Sequence, residues 1–431
     1  MSGANEQHAY HVKIVIFLNN LGLGGTEKAA CRWARGLKEC GHQITVLTLQ
    51  DGPRRSELEQ HAIPVQVVEM SAQKIAAGLR DVSPEVIHAH VPGYPHQGDV
   101  LGEALQLLPQ KIPVVQTNIF GRLENPREAA WTDFRLFISW TSCVQAARRS
   151  FRKLNENFSR RASVAIYPVD PVDPPSATDI GAFRKQLGVS DDEVLFGRFS
   201  RPEPNKWTNL ALDAFRLALR RNRKIKLLLR EPPPAVAGRL RVSPDADRFV
   251  ILPATSDADE LRLTMSALDL VLHTSSIGES FGYGIAEPMN LGKPVITHSV
   301  PWCDQAQIEL VRHGECGFVA STAATMADAI LTLADDRALR GRMGAKARQH
   351  IRALADPETS IARLEAVLRA TVEKRGNPFA AEDLEQARRT AAYLDAQQFG
   401  HSLLEQLALR PFYYRVRFHQ FRRKTKKQAS V

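Results

Sequence analysis

Two carboxylates, Glu279 and Glu287, stand eight positions apart in the run from Gly278 to Glu287, together with Gly282, Gly284, Phe281 and Tyr283. The residues just before this run, Leu268 to His273, read as a buried strand, and Met289-Asn290-Leu291-Gly292 leads into another at Lys293 to Thr297. Strand, glycine-rich turn, short helix and strand form a unit that presents a loop and a helix N-terminus to a phosphate. A cationic set, Arg198, Arg201 and Lys206, falls between a strand ending at Gly197 and a helix expected over Leu210 to Ala218. Arginine and lysine aimed at a phosphate oxygen neutralise charge growing there without a metal ion. A third set is the loop Gly22-Leu23-Gly24-Gly25-Thr26-Glu27, where glycines let the backbone approach an anion and the next helix offers unpaired N–H groups. This loop departs from G-x-G-x-x-G, and the following strand ends in Leu49 and Gln50 rather than an acid, which argues against a nicotinamide dehydrogenase. Each set also has a plainer reading: a tight turn, a solvated basic loop, and two surface glutamates.

The elements that must position these groups alternate between strand and helix. The apolar run His11 to Leu18 reads as a central parallel strand, Glu27 to Cys40 as an amphipathic helix with Gly41 past its end, and Gln43 to Leu49 as the next strand. Further strands are expected at Val65 to Val68, Val86 to His88, Val114-Val115 and Phe134 to Ile138. Four prolines between Tyr167 and Pro175 exclude regular structure there and read as a linker. A second βα series follows at Val194 to Gly197, Ile225 to Leu229, Phe249 to Leu252, Leu268 to His273, Pro294 to Thr297 and Gly317 to Val319. Two Rossmann-like, doubly wound parallel-sheet domains facing across a cleft make the expected fold α/β of the GT-B type, with C-terminal helices and a basic tail. The expected boundaries are 1–167 (acceptor side), 168–178 (linker), 179–350 (donor side), 351–409 (helices) and 410–431 (tail). Pro288 is tolerated only in a first helical turn, so the helix after the glycine run is expected to start near Gly284 or Ile285.

The run Gly278 to Glu287 resembles the E-x7-E motif of family 4 retaining glycosyltransferases with the GT-B fold, a likeness that extends over roughly residues 12–350. The resemblance implies transfer of a sugar from a nucleoside-diphosphate sugar to a glycan, lipid-linked or small-molecule acceptor, with retention of anomeric configuration and without a metal or other cofactor. It implies that Glu279 contacts the donor sugar and that Glu287 binds the ribose, whose vicinal hydroxyls one carboxylate can accept together. Backbone N–H groups of Phe281, Gly282 and Tyr283 would reach sugar or phosphate. Gly24 and Gly25 would face the donor diphosphate or the acceptor. The family carries an arginine and a lysine after the first strand of the donor domain, closer together than Arg198 and Lys206; either Arg198 or Arg201 fills the arginine's part, and Arg198 with Lys206 is preferred. Asn118 takes the slot where family members commonly carry a histidine; it can accept a sugar hydroxyl but cannot act as acid or base. His88 and His90 close an earlier strand, where His90 is either a sugar or acceptor contact or a structural histidine. The segment Pro301 to Val311 either lines the acceptor side or caps a helix through Asp304.

Composition narrows the remaining classes. From Arg410 to the end there are eight Lys or Arg and no acid, so most of the net charge of +10 belongs to the tail and the rest of the chain is near +2. Nucleic-acid binding by the whole fold is therefore not implied. Cations interleaved with aromatics over Arg410 to Lys427 suit an anionic membrane surface, or a disordered solubilising tail. The polar start and the absence of any apolar run near 18 residues predict no signal peptide and no membrane-spanning helix. Five scattered cysteines fit reduced thiols in a cytoplasmic protein, peripheral to the inner membrane face if the tail binds it. Asp245-Ala246-Asp247 and Asp257-Ala258-Asp259 match a metal-binding D-x-D formally but read as turns and helix starts. Two rivals stand beside the transferase: a sugar-nucleotide epimerase or phosphorylase on the same architecture, and a non-catalytic glycan- or membrane-binding protein.

Overall fold

A computed structural model describes residues 11–91, 98–121, 126–149, 154–301 and 303–396. Arg122, Trp302, residues 397–409 and the whole basic tail therefore lie outside the described residues. The chain divides into two compact units, Met1–Pro168 with Ala355–Thr390, and Val169–Leu354 with Ala391–Val431.

The first unit is built on seven strands: β1 (Lys13–Leu18), β2 (Gln43–Thr48), β3 (Val65–Val67), β4 (Val86–Val91), β5 (Val114–Asn118), β6 (Phe134–Phe137) and β7 (Ala162–Val164). All pair in parallel, in the order β3-β2-β1-β4-β5-β6-β7. The inner strands are continuous apolar runs because helices cover a parallel sheet on both faces. Val15, Phe17, Ile87, Ala89 and Val114 pack with Ile75, Leu79 and Leu101 in one fully buried core. β7 was not legible in the sequence; Ala162-Ser163-Val164 is too short to show a period. The helix Pro357–Val372 belongs to this unit: Ser360 Oγ accepts from Trp33 Nε1 at 2.9 Å, and Arg363 Nε donates to the Val164 carbonyl at 2.7 Å.

The second unit carries β8 (Val194–Phe199), β9 (Ile225–Arg230), β10 (Phe249–Leu252), β11 (Leu270–Leu272), β12 (Gly278–Glu279), β13 (Val295–Thr297), β14 (Asp304–Gln305) and β15 (Gly317–Val319). Six of them form a parallel sheet in the order β10-β9-β8-β11-β13-β15, while β12 and β14 make a two-residue parallel pair of their own. Strand order reverses between β8 and β11, and in open α/β sheets ligands bind outside the carboxyl ends of strands at such a switch point. The proline segment is fastened along this unit from Val169 onward: the Asp170 carbonyl accepts from Asn290 Nδ2 at 2.9 Å, and Arg348 pairs with Asp173 at 3.3 Å. A helix already begins at Ala177, capped by Ser176, inside the expected linker.

Candidate active site

Three segments converge at the switch point of the second unit: the end of β8 with the loop to Trp207, the turn after β11, and β12 with the helix that follows. Lys206 Nζ donates to Glu279 Oε1 at 2.8 Å and to the Gly278 carbonyl at 3.0 Å. The ion pair is largely withdrawn from solvent, with the side chains 13% and 15% exposed. His273, the first residue after β11, brings Nε2 to the same carboxylate oxygen at 3.0 Å. Burial by itself would raise the Glu279 carboxyl; the Lys206 charge and the His273 hydrogen bond outweigh it and hold the group at about 2.

Backbone geometry aims Glu279. Gly278 has φ of 65°, and a Cβ there would stand 1.7 Å from the Asp304 carbonyl oxygen, across the β12–β14 pair. Only glycine fits that conformation at that approach. The Glu279 N–H donates to Gln307 Oε1 at 3.0 Å, and Ser280 Oγ donates to Asp304 Oδ2 at 2.8 Å. The helix starts at Tyr283, one residue before the expected Gly284, after Gly282 at φ of 104°. Pro288 is consequently its sixth residue, beyond the first turn, and lacks the N–H that would bond the Gly284 carbonyl. Phe281 is buried and meets Tyr283 edge-on with ring centroids 5.0 Å apart. Glu287 lies half-buried on this helix.

The two arginines have unlike surroundings. Arg198 is 1% exposed; Nη1 donates to Thr274 Oγ1 at 3.0 Å, Nη2 donates to the Lys206 carbonyl at 2.6 Å and the Thr274 carbonyl at 2.8 Å, and the guanidinium lies 4.6 Å from the centre of the Trp207 ring. Nη1 is held by Thr274 in the turn after β11 and Nη2 by both Thr274 and the Lys206 carbonyl, so the guanidinium braces the Lys206 loop against that turn. Burial lowers its pKa to about 9, against the upward pull of Glu279. Arg201 is exposed and paired with Glu203 at 3.2 Å. Asp304 does not cap the next helix either; it sits in β14, and Gln305 occupies the capping position without a side-chain bond. Asp257 accepts from the Asp259 and Glu260 N–H groups as a helix cap, and Asp247 pairs with Arg248.

In the first unit, Gly24 caps the helix Gly25–Glu39 at the carboxyl end of β1, so Gly24 and Gly25 stand where a helix N-terminus meets the switch between β1 and β4. Asn118 ends β5 and is buried. His90 is buried at the end of β4. It is 2% exposed, lies 4.4 Å from the His88 ring and 5.7 Å from the Trp33 ring, and neither ring nitrogen has a hydrogen-bond partner among the described residues. Burial drives its pKa down to about 3, so it is neutral. Sequence reasoning missed His273, Thr274, Gln305 and Gln307. A polar His-Thr-Ser-Ser run ending a buried strand beside the glutamate motif was the signal for the first two; the glutamines carried none.

The sequence itself agrees with this geometry. Residues 24–171 match the glycosyl transferase 4-like domain, and residues 192–336 match glycosyl transferases group 1. Fold, site and domain matches together define a GT-B glycosyltransferase. Within that class the chain is similar to HepE from Anabaena, solved with UDP and glucose, at 22% identity and a TM-score of 0.69, over 84% of this chain and 100% of that one. It is likewise similar to a glycosyltransferase from Rickettsia africae (14% identity, TM-score 0.70, 84% and 99% covered) and to the catalytic domain of starch synthase IV from Arabidopsis thaliana, bound to ADP and acarbose (14% identity, TM-score 0.62, 84% and 100% covered). None of the curated proteins matches the chain.

Proposed function

We propose that this chain transfers a sugar from a nucleoside-diphosphate sugar to a glycan or lipid-linked acceptor, with retention at the anomeric carbon and without a metal ion. The observation that carries the reading is the Lys206–Glu279 pair at the β8/β11 switch point. Lys206 supplies the positive charge beside the departing diphosphate, where a preorganised cation in a water-poor site is worth most. Arg198 braces that loop and adds a second buried charge. Glu279 accepts from a hydroxyl of the donor sugar, Glu287 takes the ribose, and the main chain of Phe281, Gly282 and Tyr283 meets sugar or phosphate. Arg201 remains a peripheral donor contact. Gly24, Gly25 and Asn118 of the first unit serve the diphosphate or acceptor. With an asparagine rather than a histidine at position 118, the leaving phosphate oxygen itself takes the acceptor's proton. The donor class is supported by the UDP and ADP complexes of similar proteins. Membrane contact through the tail and a place at the inner membrane face belong to the same proposal; no described helix is long and apolar enough to cross a membrane.

A thermal-shift screen over UDP-, ADP- and GDP-sugars tests this reading. A donor at about 100 times its Kd adds roughly 2.7 kcal/mol of stability. Stabilisation by at least one donor, lost in Lys206→Ala, is expected; no response to any of them overturns it.

A further inference from the structure

We propose that His273 is a positioning residue that commits one oxygen of Glu279 and thereby leaves Oε2 as the single acceptor offered to the donor sugar. The inference rests on Glu279 being the sugar contact. Among the described residues both donors that reach the carboxylate, Lys206 Nζ and His273 Nε2, converge on Oε1, at 2.8 and 3.0 Å. The ring is buried beside Glu279. It is 3% exposed, and its main chain is tied to β13 by a 2.8 Å bond from the His273 N–H to the Ile296 carbonyl. A carboxylate only accepts, so Nε2 carries the proton. Nδ1 is buried with no hydrogen-bond partner among the described residues, and in the neutral ring it carries none.

The charged and titratable groups facing the ring are Glu279, Arg198 and Lys206. Burial lowers the imidazole pKa, the two cations lower it further, and Glu279 opposes them. The neutral Nε2–H tautomer is the result. The Glu279 N–H is held separately by Gln307, so main chain and side chain are each fixed from a different element. A carboxylate with both oxygens free would span two vicinal hydroxyls. With Oε1 doubly engaged, this one reads one hydroxyl through Oε2.

The test uses the full chain with UDP, ADP and GDP and their glucose conjugates as titrants. His273→Leu removes the donor; His273→Gln restores an N–H near the place of Nε2. In His273→Leu the extra affinity of the sugar nucleotide over the bare nucleotide is expected to fall roughly tenfold, as for a hydrogen bond to a charged group, with bare-nucleotide binding unchanged. His273→Gln is expected to recover most of that increment. A general structural defect would weaken both ligands equally, and that result, or an unchanged increment in His273→Leu, overturns the inference. Nitrogen-15 spectra of the histidines at neutral pH give a ligand-free reading. Protonated Nε2 with bare Nδ1 is expected, and an imidazolium or the opposite tautomer overturns the proposal. Absence of any nucleotide-sugar binding by the unaltered chain would strike the transferase reading, while the spectra would still decide the state of His273.

Discussion

Replacing Lys206 with methionine keeps the length of the side chain and deletes its charge. Glu279 would then sit in a pocket that leaves it 15% exposed, with His273 as its remaining donor. The carboxyl stands at about 2 against an ordinary 4.5; although burial pushes it up, Lys206 is the largest influence pulling it down. That displacement is worth roughly 3 kcal/mol in all, and Lys206 leads the influences that produce it. Breaking one side of a buried pair in other proteins costs about 3–5 kcal/mol, so a loss of about 2 kcal/mol suits a pair with some solvent access. For a unit of this size that is a fall in Tm of roughly 4–8 °C. Glu279→Gln should cost a similar amount, by stranding the lysine. The double variant Lys206→Met with Glu279→Gln should lose clearly less than the sum, because it buries no unpaired charge. Thermal unfolding of the four proteins reads the coupling directly. Additive losses within about 0.5 kcal/mol would refute the claim that the two charges depend on each other. All three variants should lack transferase activity.

Acid should act on the same pair. Because the folded carboxyl is held below its unfolded value, its contribution is complete above about pH 4.5 and is lost as pH falls toward about 2; acid titrations of the unaltered chain and of Glu279→Gln should diverge only in that window. His90, neutral in the folded chain with a pKa of about 3 against an ordinary 6.5, also gives stability that is lost as pH falls below about 6.5, since the unfolded chain takes up the proton first. His90→Phe should therefore flatten the acid sensitivity between pH 6.5 and 3 without altering donor binding, and a steeper acid loss would contradict its place in the core. Gly278→Ala forces a Cβ onto the Asp304 carbonyl at a left-handed φ, and should lower stability by about 1–3 kcal/mol and abolish turnover, read by thermal unfolding and donor consumption. Arg198→Lys cannot bridge Thr274 and the Lys206 carbonyl while covering Trp207, so it should impair donor binding although the charge is kept; a fully active variant would contradict the bracing role.

The fold was largely legible because parallel strands buried on both faces write themselves as short apolar runs, and both sheets are made of these. Gly278, Glu279 and Glu287 were legible as a motif because glycine marks the backbone positions that the turn requires. What escaped has a common cause. A sequence places a Cα at a strand end but does not say where a long side chain goes. Arg198 stands at the expected position, yet its guanidinium turns into the protein toward Thr274. His90 follows the β alternation, which directs it to the side of the sheet occupied by Trp33. The pairing of Gly278 with Asp304 joins residues 26 positions apart and leaves no local period to detect. The early helix start at Tyr283 is set by Gly282, whereas the argument from Pro288 assumed that a proline cannot lie beyond the first turn.

The central claim is that Lys206 and Glu279 act on a nucleotide-linked sugar. It is tested most directly by following release of nucleoside diphosphate from UDP-, ADP- and GDP-sugars, by the purified chain and by Lys206→Ala and Glu279→Ala, with the anomeric configuration of any product read by NMR. The account predicts release from at least one donor, a product with the donor's anomeric configuration, and loss of both in the two folded variants. Undiminished release by the variants, or an inverted product, would contradict it.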